Sequence, residues 1–291
     1  MKQFKQMTIL GVGLIGASLA LSCRQRKVVK TIVGFGRNGD NLQKAQELNI
    51  IDSGSTDLQT AVEGSDLIVL CTPVGVLADR VREMIPFLQE GCIITDAGSV
   101  KGSLVEQIDA LMPDSIDYVG AHPIAGGEQS GLDASSGDLL TGAKCIITPT
   151  ANTCKKALQR VTEFWAEVGM EVVTMDAHEH DVVLGALSHL PHVVAYALMN
   201  TVANVKTENH RDILAMSGGG LKDITRIASS DPVMWRDICL ENKRPVVKLI
   251  DQFQEALENI KTLIEQDQAD ALQETFAHAN VHRGKLVETN T

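Results

Sequence analysis

Three groups of residues in this chain have types and spacing suited to chemistry. The first is Gly11-Val12-Gly13-Leu14-Ile15-Gly16, entered from Thr8-Ile9-Leu10 and left through Ala17-Ser18-Leu19-Ala20. A GxGxxG run alone is weak evidence. Between a strand and a helix, with a second strand ending about 20 residues on, it reads as a dinucleotide-binding turn. Gly11 permits the tight turn, Gly13 lets the backbone approach a pyrophosphate, and Gly16 allows close packing of helix on strand. The N–H groups at Leu14 and Ile15 open the helix N-terminus toward phosphate. The second strand ends in Gly34-Phe35-Gly36-Arg37-Asn38, with no acid before Asp40. Gly36 removes the repulsion that excludes a 2′-phosphate and Arg37 offers it a partner, so NADP is permitted. Stacking of Arg37 on adenine and a ribose bond from Asn38 suit NAD equally. Thr72 and Pro73 close the next strand and are expected along the cofactor.

The second group is Asp96-Ala97-Gly98-Ser99-Val100-Lys101, a strand end turning into a helix. Ser99 offers a hydroxyl at the reactive end of the cofactor, a helix N-cap, or both. The third group is two histidine motifs. His122 stands at a strand end in Gly120-Ala121-His122-Pro123-Ile124-Ala125-Gly126-Gly127-Glu128, a setting that suits a catalytic imidazole better than core filler. Ser188-His189-Leu190-Pro191-His192 interrupts an apolar helix, where Pro191 frees backbone groups. His178, His180, Asp181, His189 and His192 fall within 15 residues, yet their spacing matches no metal-binding helix pattern and no metal is expected.

These groups need a scaffold, and the first half of the chain supplies it. Strand-like runs at Met7–Leu10, Thr31–Phe35, Leu67–Cys71, Cys92–Thr95, Tyr118–Ala121 and Cys145–Thr148 alternate with helical stretches at 16–25, 41–48, 76–88 and 101–112. A further helix at 155–168 and a strand at 171–174 close this half. The alternation specifies a parallel α/β sheet of Rossmann type over residues 1–175. After Met175 helical periodicity takes over, giving an all-helical domain over 176–291 for substrate binding and dimerisation. Val246, Ile250, Phe253, Leu257, Ile260 and Ile264 form a heptad stripe, either the core face of one helix or a dimer seam. A homodimer through the helical domain is expected.

Composition narrows the class. With 26 Lys and Arg against 37 Asp and Glu the net charge is −11, and only 3% of residues are aromatic, so no nucleic-acid partner is expected. The six cysteines include no CxxC pair and suit a reducing cytosol. Lys2 and Lys5 before the apolar run 7–23 mimic a signal peptide, but the spaced glycines argue for the nucleotide turn. Residues 182–205 carry no charge and are long enough to span a bilayer. Ser188, His189, His192, Asn200, Thr201 and Asn204 make that run too polar for a lone lipid-facing helix. It is expected to be a buried core helix, with a subunit interface as its further use, in a soluble cytoplasmic protein.

In this order and before a helical half, GVGLIG, DAGSVK, GAHPIAGGE and SHLPH resemble the prephenate dehydrogenase family, which includes arogenate and cyclohexadienyl dehydrogenases. The resemblance runs from about Met7 to beyond Trp235. The histidine motifs are specific to that family, whereas the glycine motif is shared by many dehydrogenases. It implies oxidative decarboxylation of prephenate, or of arogenate, with hydride transfer to NAD or NADP, NAD being slightly favoured. By matching motif, His122 accepts the hydrogen bond of the substrate's C4 hydroxyl, and Ser99 orients that imidazole and the nicotinamide. His189 and His192 line the pocket, and Arg226 binds a substrate carboxylate. Glu128 and Asp223 form an ionic network around Arg226, with Trp235 packed nearby. No attached chorismate mutase is expected, and the roughly 27 residues after Ile264 are too few for a regulatory domain. A β-hydroxyacid dehydrogenase would lack GAHPIAG, and an NAD-sensing regulator would not need His122, Ser99 and Arg226 together.

Overall fold

The computed structural model describes residues 3–127, 131–206 and 212–288. They fall into two compact units, one running to Lys243 and the other from Arg244. The first unit opens with β1 (Phe4–Leu10), α1 (Leu14–Arg26), β2 (Val29–Phe35), α2 (Gly39–Glu47), β3 (Ser53–Ser55), α3 (Leu58–Val62) and β4 (Leu67–Leu70). It continues through α4 (Leu77–Met84), β5 (Ile93–Asp96), α5 (Gly102–Asp109), β6 (Asp117–Pro123), β7 (Lys144–Thr148), α6 (Lys155–Glu167) and β8 (Glu171–Thr174). All eight strands form one sheet in the order β3-β2-β1-β4-β5-β6-β7-β8.

Both faces of this sheet are covered, so its central strands are apolar throughout instead of alternating. Leu67 and Val69 enter one core with Met7 and Ile9 of β1 and Phe164 and Trp165 of α6. Ile68 and Leu70 enter the other with Val81 of α4 and Leu104 and Ile108 of α5. The order reverses at β1, where β2 lies on one side and β4 on the other, and the strand ends there open the switch-point crevice that α/β sheets use for ligands.

The expectation of a parallel sheet needs one correction. β7 runs antiparallel to β6, pairing Ile146 with His122, while β8 is parallel to β7. A parallel return needs a long crossover, usually a helix riding over the sheet. The described part of 124–143 carries only the single turn Leu132–Ala134, and it is pinned to α1 where Ser136 N–H donates to the buried Ser18 hydroxyl at 3.0 Å. This chain therefore comes back beside β6 in the opposite sense.

Past the sheet, α7 (Ala177–Leu184), a wide π turn (Gly185–His189) and α8 (Leu190–Ala203) make one helical run, followed by α9 (Gly219–Thr225) and α10 (Pro232–Glu241). The expectation that 182–205 is a buried core helix is overturned. Leu184, His189 and Ala195 are buried, but Val182 is 56% and Leu187 71% exposed, because only one side of the run packs against its own chain. The run 177–203 is long and apolar enough to cross a membrane. Its packed side, however, carries His180, Asp181 and His189, all engaged by polar groups. In the second unit, α11 (Lys243–Glu265) carries the heptad stripe and α12 (Ala269–Glu288) follows. Leu257 and Ile264 of the stripe are more than half exposed.

Candidate active site

The glycine turn has the shape a dinucleotide requires. Gly11 adopts φ +100°, and a Cβ there would meet the carbonyl oxygen of Cys71 at 2.7 Å, so only glycine fits. A Cβ at Gly16 would lie 2.8 Å from Ile9 Cγ2, which keeps α1 tight on β1. At Gly13 a Cβ would meet nothing within 4 Å, so the turn is open on the side where a pyrophosphate would approach. Gly13 caps α1 without a side-chain bond, leaving the N–H groups at Leu14 and Ile15 available to phosphate. At the end of β4 the buried Thr72 hydroxyl has no partner among the described residues, and Pro73 follows it. These observations fit a bound nicotinamide dinucleotide.

At the ribose end, Arg37 is exposed and a Cβ at Gly36 would come no closer than 3.6 Å to Leu42. Asn38 has a structural task. Its side-chain oxygen caps α2 by accepting from Asp40 N at 2.9 Å and Asn41 N at 3.2 Å. Asn41 in turn donates to Val12 O, bracing the glycine turn.

On the same edge of the sheet lies a cavity of about 800 Å³ whose wall includes Ser99, His122, His189 and Trp235. His122 Nδ1 is 2.8 Å from His180 Nε2, and His180 Nδ1 is 2.9 Å from Asp181 Oδ1. A carboxylate accepts only, so His180 donates from Nδ1 and accepts at Nε2. His122 must then donate from Nδ1, which leaves its Nε2 lone pair free. Burial, followed by the charges of His180, Lys101 and His189, holds the His122 pKa well below the ordinary value. The imidazole is therefore a neutral hydrogen-bond acceptor at neutral pH.

His189 is set the opposite way. The Asn242 amide nitrogen donates to Asp181 O at 2.8 Å and lies 2.9 Å from His189 Nδ1. His189 Nδ1 accepts, so its Nε2 carries the proton and acts as a donor. Burial lowers its pKa to about 4.

A buried ionic cluster holds this arrangement from behind. Asp96 pairs with the fully buried Lys101 and accepts from Tyr118 OH and Ala121 N, both at 3.0 Å. Lys101 N and Gly102 N donate to the Asp181 carboxylate, both at 2.8 Å. Asp181 thus caps α5 from a distant element while it orients His180. Ser99 is not the cap, since α5 begins only at Gly102. Nor is Ser99 bonded to the His122 imidazole, whose Nδ1 partner is His180.

The remaining expected residues are less concentrated. His192 donates from Nδ1 to Ser188 O at 2.9 Å and stacks on Trp235 at 3.6 Å, so it contributes through that ring and is not on the wall of the large cavity. Arg226 is exposed and lines a neighbouring cavity of about 550 Å³ with Tyr196, Ser217 and Lys222. Its charge reaches His192 and contributes to that imidazole's lowered pKa. Asp223 is exposed on α9, and Glu128 lies outside the described residues. Sequence reasoning weighed His180 and Asp181 only as metal ligands and passed over Lys101 and Asn242. A lysine and two aspartates flanking apolar runs were the available signal; Asn242 gave none.

Cradle and sheet define a nicotinamide-dependent dehydrogenase, with a neutral histidine on the wall of its cavity. Comparison with known proteins agrees. Residues 19–174 match the family described as prephenate dehydrogenase, nucleotide-binding domain, and residues 176–278 match prephenate dehydrogenase, dimerization domain. The cyclohexadienyl dehydrogenase of Zymomonas mobilis is 35% identical over 283 residues, covering 97% of this chain and 96% of that protein. The prephenate dehydrogenase of Bacillus subtilis is 33% identical, covering 98% of this chain and 77% of that one. The crystal structure of prephenate dehydrogenase from A. aeolicus in complex with hydroxyphenyl propionate and NAD+ superposes with a TM-score of 0.91 at 39% identity, covering 97% and 98% of the two chains. The chain belongs to the prephenate dehydrogenase family and is an NAD(P)-dependent oxidoreductase.

Proposed function

We propose that this enzyme converts prephenate to 4-hydroxyphenylpyruvate, an oxidative decarboxylation in tyrosine biosynthesis. The observation that carries the reading is the neutral His122 with a free Nε2, on a cavity at the sheet edge that also bears the glycine cradle. Bound in that cradle, the nicotinamide accepts the hydride from the substrate's C4. His122 Nε2 accepts the hydrogen bond of the C4 hydroxyl and draws off its proton as the C–H bond breaks. The bond from C1 to the ring carboxylate breaks in turn, and its electron pair completes the aromatic ring as carbon dioxide leaves. The imidazolium returns its proton to the phenolate oxygen, so no net proton is released. Aromatisation supplies much of the driving force, and the protein's contribution is orientation, a proton acceptor and positive charge for a dianion.

Ser99 stands where strand β5 delivers a hydroxyl to the cavity, and its role is to orient substrate and nicotinamide. His189 donates from Nε2 to a ligand oxygen, and His192 supports the pocket through Trp235. Arg226 binds a substrate carboxylate, and Asp223, exposed on α9, belongs to the ionic network that holds it. NAD is the cofactor, a reading supported by the NAD+ of the A. aeolicus complex, while the room at Gly36 and the exposed Arg37 leave NADP sterically permitted. The functional division falls near residue 175, with nucleotide binding before it and dimerisation after it. The family description of 176–278 and the exposed apolar side chain of Val182 support a homodimer, and the cytoplasm is the compartment that fits a soluble biosynthetic enzyme. The test offers prephenate and arogenate, each with NAD and NADP, to the purified protein. Rapid cofactor reduction is expected with prephenate and NAD, and an enzyme that reduced cofactor only with arogenate would refute the substrate assignment.

A further inference from the structure

The cavity that holds His122 must receive two carboxylates, yet its wall is largely aliphatic. Among its described lining residues one carries a full positive charge, Lys144, the first residue of β7. Arg226 lines a different cavity of the same chain.

Strand register explains how Lys144 comes to face the chemistry. His122 lies directly opposite Ile146 in the antiparallel β6–β7 ladder. Directly opposed residues point to the same face of a sheet, and so do residues two apart along one strand, so Lys144 shares the face of His122. It is the diagonal neighbour of His122, a placement that sets the two Cα atoms about 7–8 Å apart and within reach of a long side chain. Its carbonyl accepts from Ile124 N at 2.7 Å, which fixes the strand position from which the side chain departs. Val173 of β8, opposite Ile146, continues the same wall. Among the described residues the ammonium has no ion-pair partner, and the side chain is exposed at the cavity wall.

The substrate's shape matches this separation. Both carboxylate-bearing substituents of prephenate leave the ring at C1, across from the C4 hydroxyl. A ring whose hydroxyl sits on His122 therefore presents its anionic end one side chain's length away. We propose that Lys144 is a further substrate-binding residue, an ammonium anchor on the β7 wall for the pyruvyl carboxylate, the one kept in the product, of the dianion whose C4 hydroxyl is held by His122. The assignment rests on the prephenate reading above. An ammonium meets a carboxylate as a compact point charge with rotatable donors, so Lys144 serves affinity more than orientation, and arginine can replace it.

The test compares the parent enzyme with Lys144→Met and Lys144→Arg. Methionine keeps the aliphatic stem and removes the charge. The KM for prephenate is expected to rise about tenfold in Lys144→Met, the loss of one charge-assisted bond, while kcat and the KM for NAD stay within about twofold. Lys144→Arg should recover most of the loss, which a merely structural role for the stem would not predict. Calorimetric titration with 4-hydroxyphenylpyruvate reads the same contrast without turnover, about tenfold weaker binding to Lys144→Met. A prephenate KM within twofold of the parent overturns the anchor while an active parent leaves the prephenate reading intact. If the parent turned over no prephenate, that reading would fall, and equal calorimetric affinities of parent and Lys144→Met would reject the anchor as well.

Discussion

Two imidazoles face one cavity with opposite hydrogen-bonding roles, and in each the partner on the far side of the ring sets the role. Asp181 makes His122 an acceptor through His180, and it makes His189 a donor through its carbonyl and Asn242. Replacing His122 with asparagine keeps a polar group of similar reach but removes a proton acceptor. We expect kcat to fall by about 10²–10⁴-fold with the prephenate KM within threefold of the parent, measured by initial rates. The proposed role requires the neutral imidazole, whose pKa is depressed, so kcat should stay level as pH falls through 6.5, the ordinary histidine value, and decline only in more acidic buffer. An inflection at 6.5 or above would contradict the assignment. Arg226→Ala is expected to act chiefly on binding, raising the prephenate KM about tenfold or more. A turnover defect with unchanged KM would refute that role. His122 and Ser99 were legible in the sequence because a histidine before proline at a strand end has few structural uses. The relay behind His122 was not, since His180 and Asp181 lie some 60 residues away and meet it only through the packing of α7 on α5.

At the scale of elements, the two glycines of the turn do separable work. Gly13→Ala points a methyl into open space, so thermal stability should hold within about 2 °C while the KM for NAD rises severalfold through obstruction of the phosphate approach. Gly16→Ala drives its methyl into β1 and the turn itself, and a loss of about 1–3 kcal/mol is expected, read as a lowered midpoint in chemical denaturation. Equal effects of the two on stability would contradict this division. The periodicity of apolar residues gave the positions of β1, β2 and β4 to β8 within a few residues, because β1, β2 and β4 to β7 send buried side chains into a core and β8 packs Val172 against one. It missed β3, where Ser53-Gly54-Ser55 has no strand-forming residue and is held by pairing with β2. It also missed the reversal of β7, a property of the connection before the strand.

For the whole molecule, the net charge of −11 says little about the ligand. Positive potential is local, supplied by the α1 N-terminus, Lys144 and Arg226. More consequential is the group of histidines buried without charge. The pKa values of His122, His180 and His189 are all depressed, at His189 to about 4. As pH falls below about 6.5 the unfolded chain takes up protons at these positions while the folded chain resists, so stability is lost progressively through that window. A fall of several degrees in Tm between pH 7 and pH 5 is expected by calorimetry. A Tm that rose on acidification would show that other groups dominate. The same histidines also explain why a run apolar enough to cross a membrane does not read as a simple span. Its packed side is tied to the sheet by hydrogen bonds, while Leu187 is on the wall of the His122 cavity and Val182 is more than half exposed.

The central claim, that the His122 cavity couples hydride loss to decarboxylation, is tested most directly by stoichiometry. With limiting prephenate and excess NAD, NADH and carbon dioxide should appear together in a one-to-one ratio, each equal to the prephenate supplied, with 4-hydroxyphenylpyruvate as the organic product. Carbon dioxide released without NADH, or no reaction at all, would contradict the account.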